Sequence, residues 1–599
     1  MLLALAAFAL AQSPLVVTTT PVAFPGSPWV DAAPADGTPD GWAVSAEQGG
    51  VSVVVEKGGA ARFKWSGGTR ASVCSQPVAV PAGQTVRLRS RVRGSATLTD
   101  VTALHLHLAG STGQHHVARR RFDTGAFDWE AVDITATAPA GTDQAYACLE
   151  VQMLGADQAG SLELDPLQLE LVRAESRLSR LPVRRILLLS IEAFRWDHVR
   201  ANGYARSTTP NLDQLMAEGV SFDRHYAPAP YTHPSLASLV TGQLPTTLGF
   251  VDNIPSLGRS VPTLAELLGQ AGYVTAAFNV QYVLSNRYGL NRGFHYYRNH
   301  PNDTGADVLG DEMIPFLQAH NDDNLFLWAH YFDPHGPYRP PTRYRTLFAG
   351  DPLWNADTMQ VQRGVAAEGA PTVPKYIFDN GKTERRHYVA SYDGDIAFTD
   401  AQLGRLMSFV RASNADDTLV IVTADHGESM TDHDRYFCHG SLYDHDLHVP
   451  MVVWGPGLVQ GGVRSAAISS HVDVVPTVLD YAGVGSLPGF AGVDLRPHLV
   501  GGPAPERPHV VSVVGRAENL RYALNTPEGT KVLTDAAGRL IEAFDVLRDP
   551  GELTPLSDKK PARAIAKVFA ATIKPPPKVK RQKLDDEDTE RLRALGYLD

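Results

Sequence analysis

Ile186-Leu187-Leu188-Leu189-Ser190-Ile191-Glu192 and Leu419-Val420-Ile421-Val422-Thr423-Ala424-Asp425-His426 are the two stretches that decide the fold. Each is a short apolar run that ends on an acid. Runs of this length, rich in branched residues and without polar alternation, read as strands buried on both faces, the pattern of parallel sheets. A third run, Leu325-Phe326-Leu327-Trp328-Ala329-His330, has the same character. Helical patterns over 209–219, 263–272 and 388–412 alternate with these strands, as in α/β folds. In open α/β sheets, ligands gather at the carboxyl ends of the strands. The reading therefore puts Glu192, Asp425 and His426 at one edge of one mostly parallel sheet flanked by helices.

Thr232 follows Pro228-Ala229-Pro230-Tyr231 and precedes a predicted helix over 235–240. A hydroxyl at a helix N-terminus meets free N–H groups and the positive end of the dipole, which suits an anionic phosphate or sulfate. Threonine also caps helices, so a capping role is the plainer alternative. Glu192, Thr232, Asp425 and His426 could converge on one divalent cation, the hydroxyl being both ligand and nucleophile. With mostly oxygen donors and one imidazole, Mn²⁺, Mg²⁺, Ca²⁺ and Zn²⁺ all fit. His335 and His439 are candidates to bind ester oxygens or protonate a leaving group, with packing as the alternative. Arg195, Asp197 and His198 read as structural. Asp333, His433 and Asp434 could add a second metal, a minority reading.

From about Leu187 onward the chain resembles the sulfatases of the alkaline phosphatase superfamily. The resemblance rests on Ser190-Ile191-Glu192-Ala193-Phe194-Arg195-Trp196-Asp197-His198, Thr208-Thr209-Pro210-Asn211-Leu212, Thr232-His233-Pro234-Ser235-Leu236 with its continuation to Gly242, Asp333-Pro334-His335-Gly336-Pro337-Tyr338, Thr423-Ala424-Asp425-His426-Gly427-Glu428 and His439-Gly440-Ser441-Leu442-Tyr443, in that order. It departs from that family at telling places. Sulfatases carry a Cys or Ser that matures to formylglycine, with an arginine four residues on; here Thr232 and Leu236 stand there, so no formylglycine is expected. The first carboxylate is Glu192 followed by Ala193, not an Asp pair. A lysine expected after the middle strand is missing, and Phe278-Asn279 stands near its place. The set Glu, Thr, Asp, His resembles the threonine-nucleophile branch, which includes lipoteichoic acid synthase and the phosphoethanolamine transferases. That resemblance implies Glu192, Thr232, Asp425 and His426 as ligands of one metal, with Thr232 Oγ as nucleophile. The activity implied is a metal-dependent hydrolase or transferase of phosphate or sulfate esters, its substrate an anionic ester that is glycan- or lipid-linked in the related enzymes. The alternatives are a sulfatase working without formylglycine and a catalytically degenerate glycan-binding protein.

The chain has 599 residues, 43% hydrophobic and 20% charged, with a net charge of −11. That length predicts two or three domains, and the acidic balance argues against a general nucleic-acid binder. Residues 1–11 read as a signal peptide ending in Ala9-Leu10-Ala11, which implies a periplasmic or secreted protein. No later stretch reaches the roughly 18 apolar residues of a membrane helix, unlike the membrane-anchored transferases named above. Residues 16–172 read as a β-sandwich: Val86, Leu88 and Val92 alternate with Arg87, Arg89, Arg91 and Arg93, and Leu104, Leu106 and Leu108 with His105 and His107. It weakly resembles jelly-roll carbohydrate-binding modules, and its arginine row is either an anionic-glycan site or a solvated strand face. The catalytic core is expected over 183–505 and a small antiparallel subdomain over 506–599, with strands near 510–514, 520–524 and 530–533. Cys74 and Cys148 are either one bridge or two buried thiols. Cys438 is left over without an assigned role.

Overall fold

Strand Arg185–Ile191 (β1) explains how the sheet is covered. All seven of its residues are buried. Leu187, Leu189 and Ile191 enter one hydrophobic core, while Ile186 and Leu188 enter another, because successive side chains of a strand point to opposite faces. Such a strand needs layers above and below it, which only the middle of a three-layer arrangement supplies.

The computed structural model describes residues 183–599 except 250–255, 259–260, 365–370, 380, 414, 486–487, 516–518, 575, 578–588 and 590–599; before these it describes thirteen strands between Thr18 and Arg173. The expected signal peptide over 1–11 lies outside the described residues.

The central sheet has eight strands: β1, Val220–Tyr226 (β2), Val274–Val280 (β3), Tyr296–His300 (β4), Leu325–Tyr331 (β5), Thr418–Ala424 (β6), Met451–Trp454 (β7) and Val463–Ser470 (β8). Their order is β4-β3-β5-β1-β6-β7-β2-β8. Neighbours are parallel except that β7 runs antiparallel to β6 and β2. Helices Pro210–Glu218 (α1), Ala306–Ala319 (α3) and Arg385–Ser413 (α4) supply Leu215, Leu309, Met313, Leu403 and Leu406 to the core shared with Leu187 and Leu189. Helices Thr232–Thr241 (α2) and Val474–Tyr481 (α5) supply Leu236, Leu239, Val475 and Val478 to the other. Each aliphatic side chain so buried contributes about 1.5–3 kcal/mol.

The C-terminal sheet has four antiparallel strands, Val510–Val514, Arg521–Asn525, Thr530–Asp535 and Leu540–Asp545. The sequence reading found three. The fourth pairs through a register shift at Leu533/Thr534, which blurs its period of two. Helix Lys560–Ala570 (α6) was also missed. It covers this sheet with Ala562, Ala566 and Phe569, of which two are alanines and give little hydrophobic signal.

The chain divides into two units, Met1–Ser179 and Arg180–Asp599. In the first, the strands form a seven-stranded and a six-stranded sheet whose pairings are antiparallel. Val86, Leu88 and Val92 are buried. Arg87 stands opposite Glu170, Arg89 opposite Asp133 and Arg93 opposite Glu163. The arginine row is thus in register with acids on three neighbouring strands.

Candidate active site

The carboxyl ends of β5, β1 and β6 are level, because Ile191 is paired with both Tyr331 and Ala424. The ladder runs one step further: the Glu192 N–H donates to Tyr331 O (2.9 Å) and the Asp425 N–H to Ile191 O (3.1 Å). Glu192 and Asp425 are therefore the first residues past two adjacent strands. The chain then turns at Ala193, with φ of 51°, and the Ala193 N–H donates to Asp425 Oδ1 at 2.8 Å.

Glu192, Thr232, Asp425 and His426 are all completely buried, and the structure brings them together. Thr232 is the first residue of α2, a helix of nearly three turns that begins three residues earlier than expected. Tyr231, not Thr232, holds the cap position. The Thr232 hydroxyl donates to Glu192 Oε1 at 2.5 Å and lies 3.5 Å from His426 Nε2. His426 Nε2 is 3.3 Å from Asp425 Oδ2 and 3.8 Å from Glu192 Oε1. Donors held ~2.0–2.6 Å from one ion sit roughly 3–4 Å from each other, so these separations suit a shared cation.

The hydrogen bonding points the same way. The His426 Nδ1–H donates to Gly427 O at 2.8 Å, which leaves a lone pair on Nε2 of the neutral ring. Asp425 Oδ1 accepts from the N–H groups of Ala193 and His426, whereas the buried Oδ2 accepts no hydrogen bond among the described residues. Two acceptors then face each other at 3.3 Å, an arrangement resolved by a cation or by a shared proton. Burial pushes the Asp425 carboxyl up to about 8, and the Glu192 charge adds to the rise. Burial also opposes a charged Glu192, but the hydrogen bond and charge of His330 hold its carboxyl below the usual range, with His335 and His426 contributing. The donor set and the orphaned oxygen both fit a divalent cation.

His330 and Gln281 were not anticipated. His330 Nε2–H donates to Glu192 Oε2 at 2.6 Å, and its Nδ1 is 2.9 Å from Ser190 Oγ. The Trp328 Nε1–H donates to the same Ser190 Oγ at 3.0 Å. The Gln281 Nε2–H reaches Glu192 Oε2 at 3.2 Å. Glu192, His330 and Asp425 each offer a ligand atom within 4.8 Å of the others. Both nitrogens of His330 are engaged, however, so its part is to orient Glu192 from behind, as outer partners of metal ligands do. The signal for it was the break in an apolar run one residue before the strand's end, at the register position of Ser190. Replacing His330 with alanine leaves a buried carboxylate without its main partner, and should cost roughly 3–5 kcal/mol in chemical denaturation. A change below about 1 kcal/mol, ordinary for a surface pair, would refute the supporting role.

His439 and His335 share the pocket. The rings of His426 and His439 are 4.3 Å apart, and those of His335 and His439 are 5.8 Å apart. The His335 Nδ1–H donates to Gly336 O at 2.7 Å. Burial lowers the proton affinity of both rings. Glu428, quoted only as part of a motif, proves to be buried, with Oε1 3.7 Å from His439 Nδ1. Burial pushes its carboxyl up to about 7.

Other candidates fall elsewhere. Asp333 Oδ2 accepts from the Ala306 N–H at 3.0 Å, His433 stacks on Tyr443 with its ring 3.6 Å away, and Asp434 is exposed, so the structure does not gather a second metal site from them. Arg195 bridges Asp197 and Asp432 at 2.7 Å each and donates to Glu428 O at 2.9 Å. His198 pairs with Asp393 at 2.7 Å. These residues clamp the loops behind the site. Leu236 is wholly buried in the apolar core and brings no charge to the pocket.

A family model described as Sulfatase matches residues 184–484, just over half of the chain. The N-acetylglucosamine-6-O-sulfatase of Bacteroides thetaiotaomicron is 24% identical over 371 residues, 49% of this chain and 66% of that protein, just under two thirds. The choline-sulfatase of Rhizobium meliloti is 26% identical over 404 residues, 58% of this chain and 77% of that protein. Among solved structures, the phosphonate monoester hydrolase of Agrobacterium radiobacter superposes with a TM-score of 0.54 at 22% identity, covering 65% of this chain and 94% of that one. This last likeness is one of fold.

Proposed function

Because the chain belongs to the sulfatase family, whose members are ester hydrolases of the alkaline phosphatase superfamily, we propose that it cleaves phosphate esters through Thr232, with hydrolysis or transfer to an acceptor alcohol completing the turnover. The observation that carries this reading is the Thr232 hydroxyl, buried at the start of α2 and donating to Glu192 Oε1 at 2.5 Å. Glu192, Thr232, Asp425 and His426 are the residues that would hold one divalent metal. When bound, such an ion lowers the pKa of the hydroxyl and polarises the phosphoryl oxygen.

The protein's own groups supply the rest. Thr232 Oγ attacks phosphorus as its proton passes toward Glu192 Oε1. The P–O bond to the leaving alcohol breaks, giving a phosphothreonine. His330 and Gln281 keep Glu192 fixed. The positive end of α2 favours the anionic group being transferred. An anionic ester in the pocket raises the proton affinity of His335 and His439, and either imidazolium can protonate the leaving oxygen. Water or an alcohol then displaces Thr232 from phosphorus. A sulfated threonine has no aldehyde-hydrate route by which to expel sulfate, which favours phosphorus over sulfur.

The family match and the named relatives favour a second reading, sulfate-ester hydrolysis without formylglycine. A panel of p-nitrophenyl phosphate, bis-p-nitrophenyl phosphate, p-nitrophenyl phenylphosphonate and p-nitrophenyl sulfate, each assayed with Mn²⁺, Mg²⁺, Ca²⁺ and Zn²⁺, separates the two. The phosphorus esters are expected to turn over fastest; a sulfate ester that outruns them would overturn the phosphothreonine route.

We extend the proposal to the rest of the chain. The two N-terminal sheets pack as a sandwich that serves as an accessory to the catalytic unit over 183–505 and its subdomain over 506–599. Residues 1–11 direct export to the periplasm or beyond. Among the described residues no helix is long and apolar enough to cross a membrane.

A further inference from the structure

We propose that Cys74 and Cys148 form a disulfide that staples the six-stranded N-terminal sheet. Strand Gln144–Gln152 runs antiparallel to Arg70–Ser75, and the register sets Cys148 directly opposite Cys74. Directly opposed residues of an antiparallel pair have Cα atoms ~4.5 or ~5.5 Å apart. Both values fall within the ~4.4–6.8 Å that a disulfide spans. Directly opposed residues also share a face of the sheet, so the pairing needs no slip of either strand.

The register also decides which face this is. Cys148 is paired with His105 on its other side, and His105 with Arg119. Cys74 is paired with Ala43. Ala43, Cys74, Cys148, His105 and Arg119 therefore form one row across five strands. His105 alternates with Leu104 and Leu106, which are completely buried. The cysteine row thus lies on the sheet face opposite the buried leucines. Two apolar thiols kept as core filler belong on the leucine face, so this placement removes the main reason for two unpaired cysteines here.

The oxidant is a disulfide donor of the glutathione class. One cysteine thiolate attacks the donor disulfide and releases one glutathione thiolate. The second cysteine thiolate then attacks the mixed disulfide at the protein sulfur and releases the other. Two protein thiols are oxidised, one disulfide is reduced, and the two protons leave with the two glutathione thiols.

The test uses the full chain, equilibrated with a glutathione redox buffer, denatured and titrated with a thiol reagent. One thiol, that of Cys438, is expected before reduction and three after it. Trypsin should yield peptides 71–87 and 122–173 joined until reduction, with the Cys438 peptide unlinked. Cys74→Ser and Cys148→Ser should each raise the count before reduction from one to two. Three thiols in the oxidised protein, or any link to Cys438, would overturn the proposal. The peptide map reads the bond whether or not either variant folds. Ester turnover is measured alongside as a separate reading, and its presence or absence does not bear on the bond.

Discussion

Thr232→Ala is expected to lower turnover of a phosphorus ester by about 10⁴-fold or more, the scale seen when a covalent nucleophile is removed from a site built around it. The fold should survive. The cap position of α2 is Tyr231 rather than Thr232, so the helix start does not depend on this hydroxyl. The loss of one buried hydrogen bond to Glu192 should cost roughly 1–3 kcal/mol. Thr232→Ser keeps the oxygen and should retain measurable activity, though the missing methyl leaves the hydroxyl freer to rotate. A rapid acid quench during turnover should trap phosphate on tryptic peptide 225–259, seen by mass spectrometry. The alanine variant would refute the assignment if it worked at nearly the full rate, because only a packing role is compatible with that result.

Removal of divalent metal should be as damaging. A strong chelator is expected to abolish turnover, and adding back one of the four candidate ions should restore it. Stability gives a readout independent of activity. A ligand that binds only the folded state stabilises by about 2.7 kcal/mol at a hundred times its dissociation constant, so the unfolding midpoint should climb with metal concentration. Asp425→Asn preserves shape but halves the anionic ligand charge. It should weaken binding by at least about 100-fold in calorimetry, the upper range found even for outer partners of metal ligands. An unfolding midpoint unmoved by both chelator and added metal would defeat the single-cation reading, whatever the activity.

The sequence was most legible where burial alone sets the pattern. The runs ending at Glu192 and His426 lack regular polar alternation because β1 and β6 are covered on both faces, a signal that β5 shares. Thr232 was harder, since a helix start attracts threonine for two reasons, and the sequence does not show which group the hydroxyl meets. His330 and Gln281 escaped notice for a different cause. Their roles depend on which strand neighbours which, and β5 lies beside β1 although more than a hundred residues separate them in the chain. Glu428 was visible as a letter in a motif, but its approach to His439 depends on the path of the loop that Arg195 clamps.

The level ends of β5, β1 and β6 carry a consequence for how the protein acquires activity. The side chains of successive strand residues alternate faces with a rise of ~3.3 Å per residue. A slip of one position between β1 and β6 would therefore carry Asp425 about that distance away and turn it to the opposite side. No partly zipped sheet can hold the ligand set, nor can an intermediate that has formed its helices but not the middle of its sheet. Assembly of the catalytic centre and closure of the hydrophobic interior are one cooperative event, and a chain trapped short of it is inert rather than weakly active.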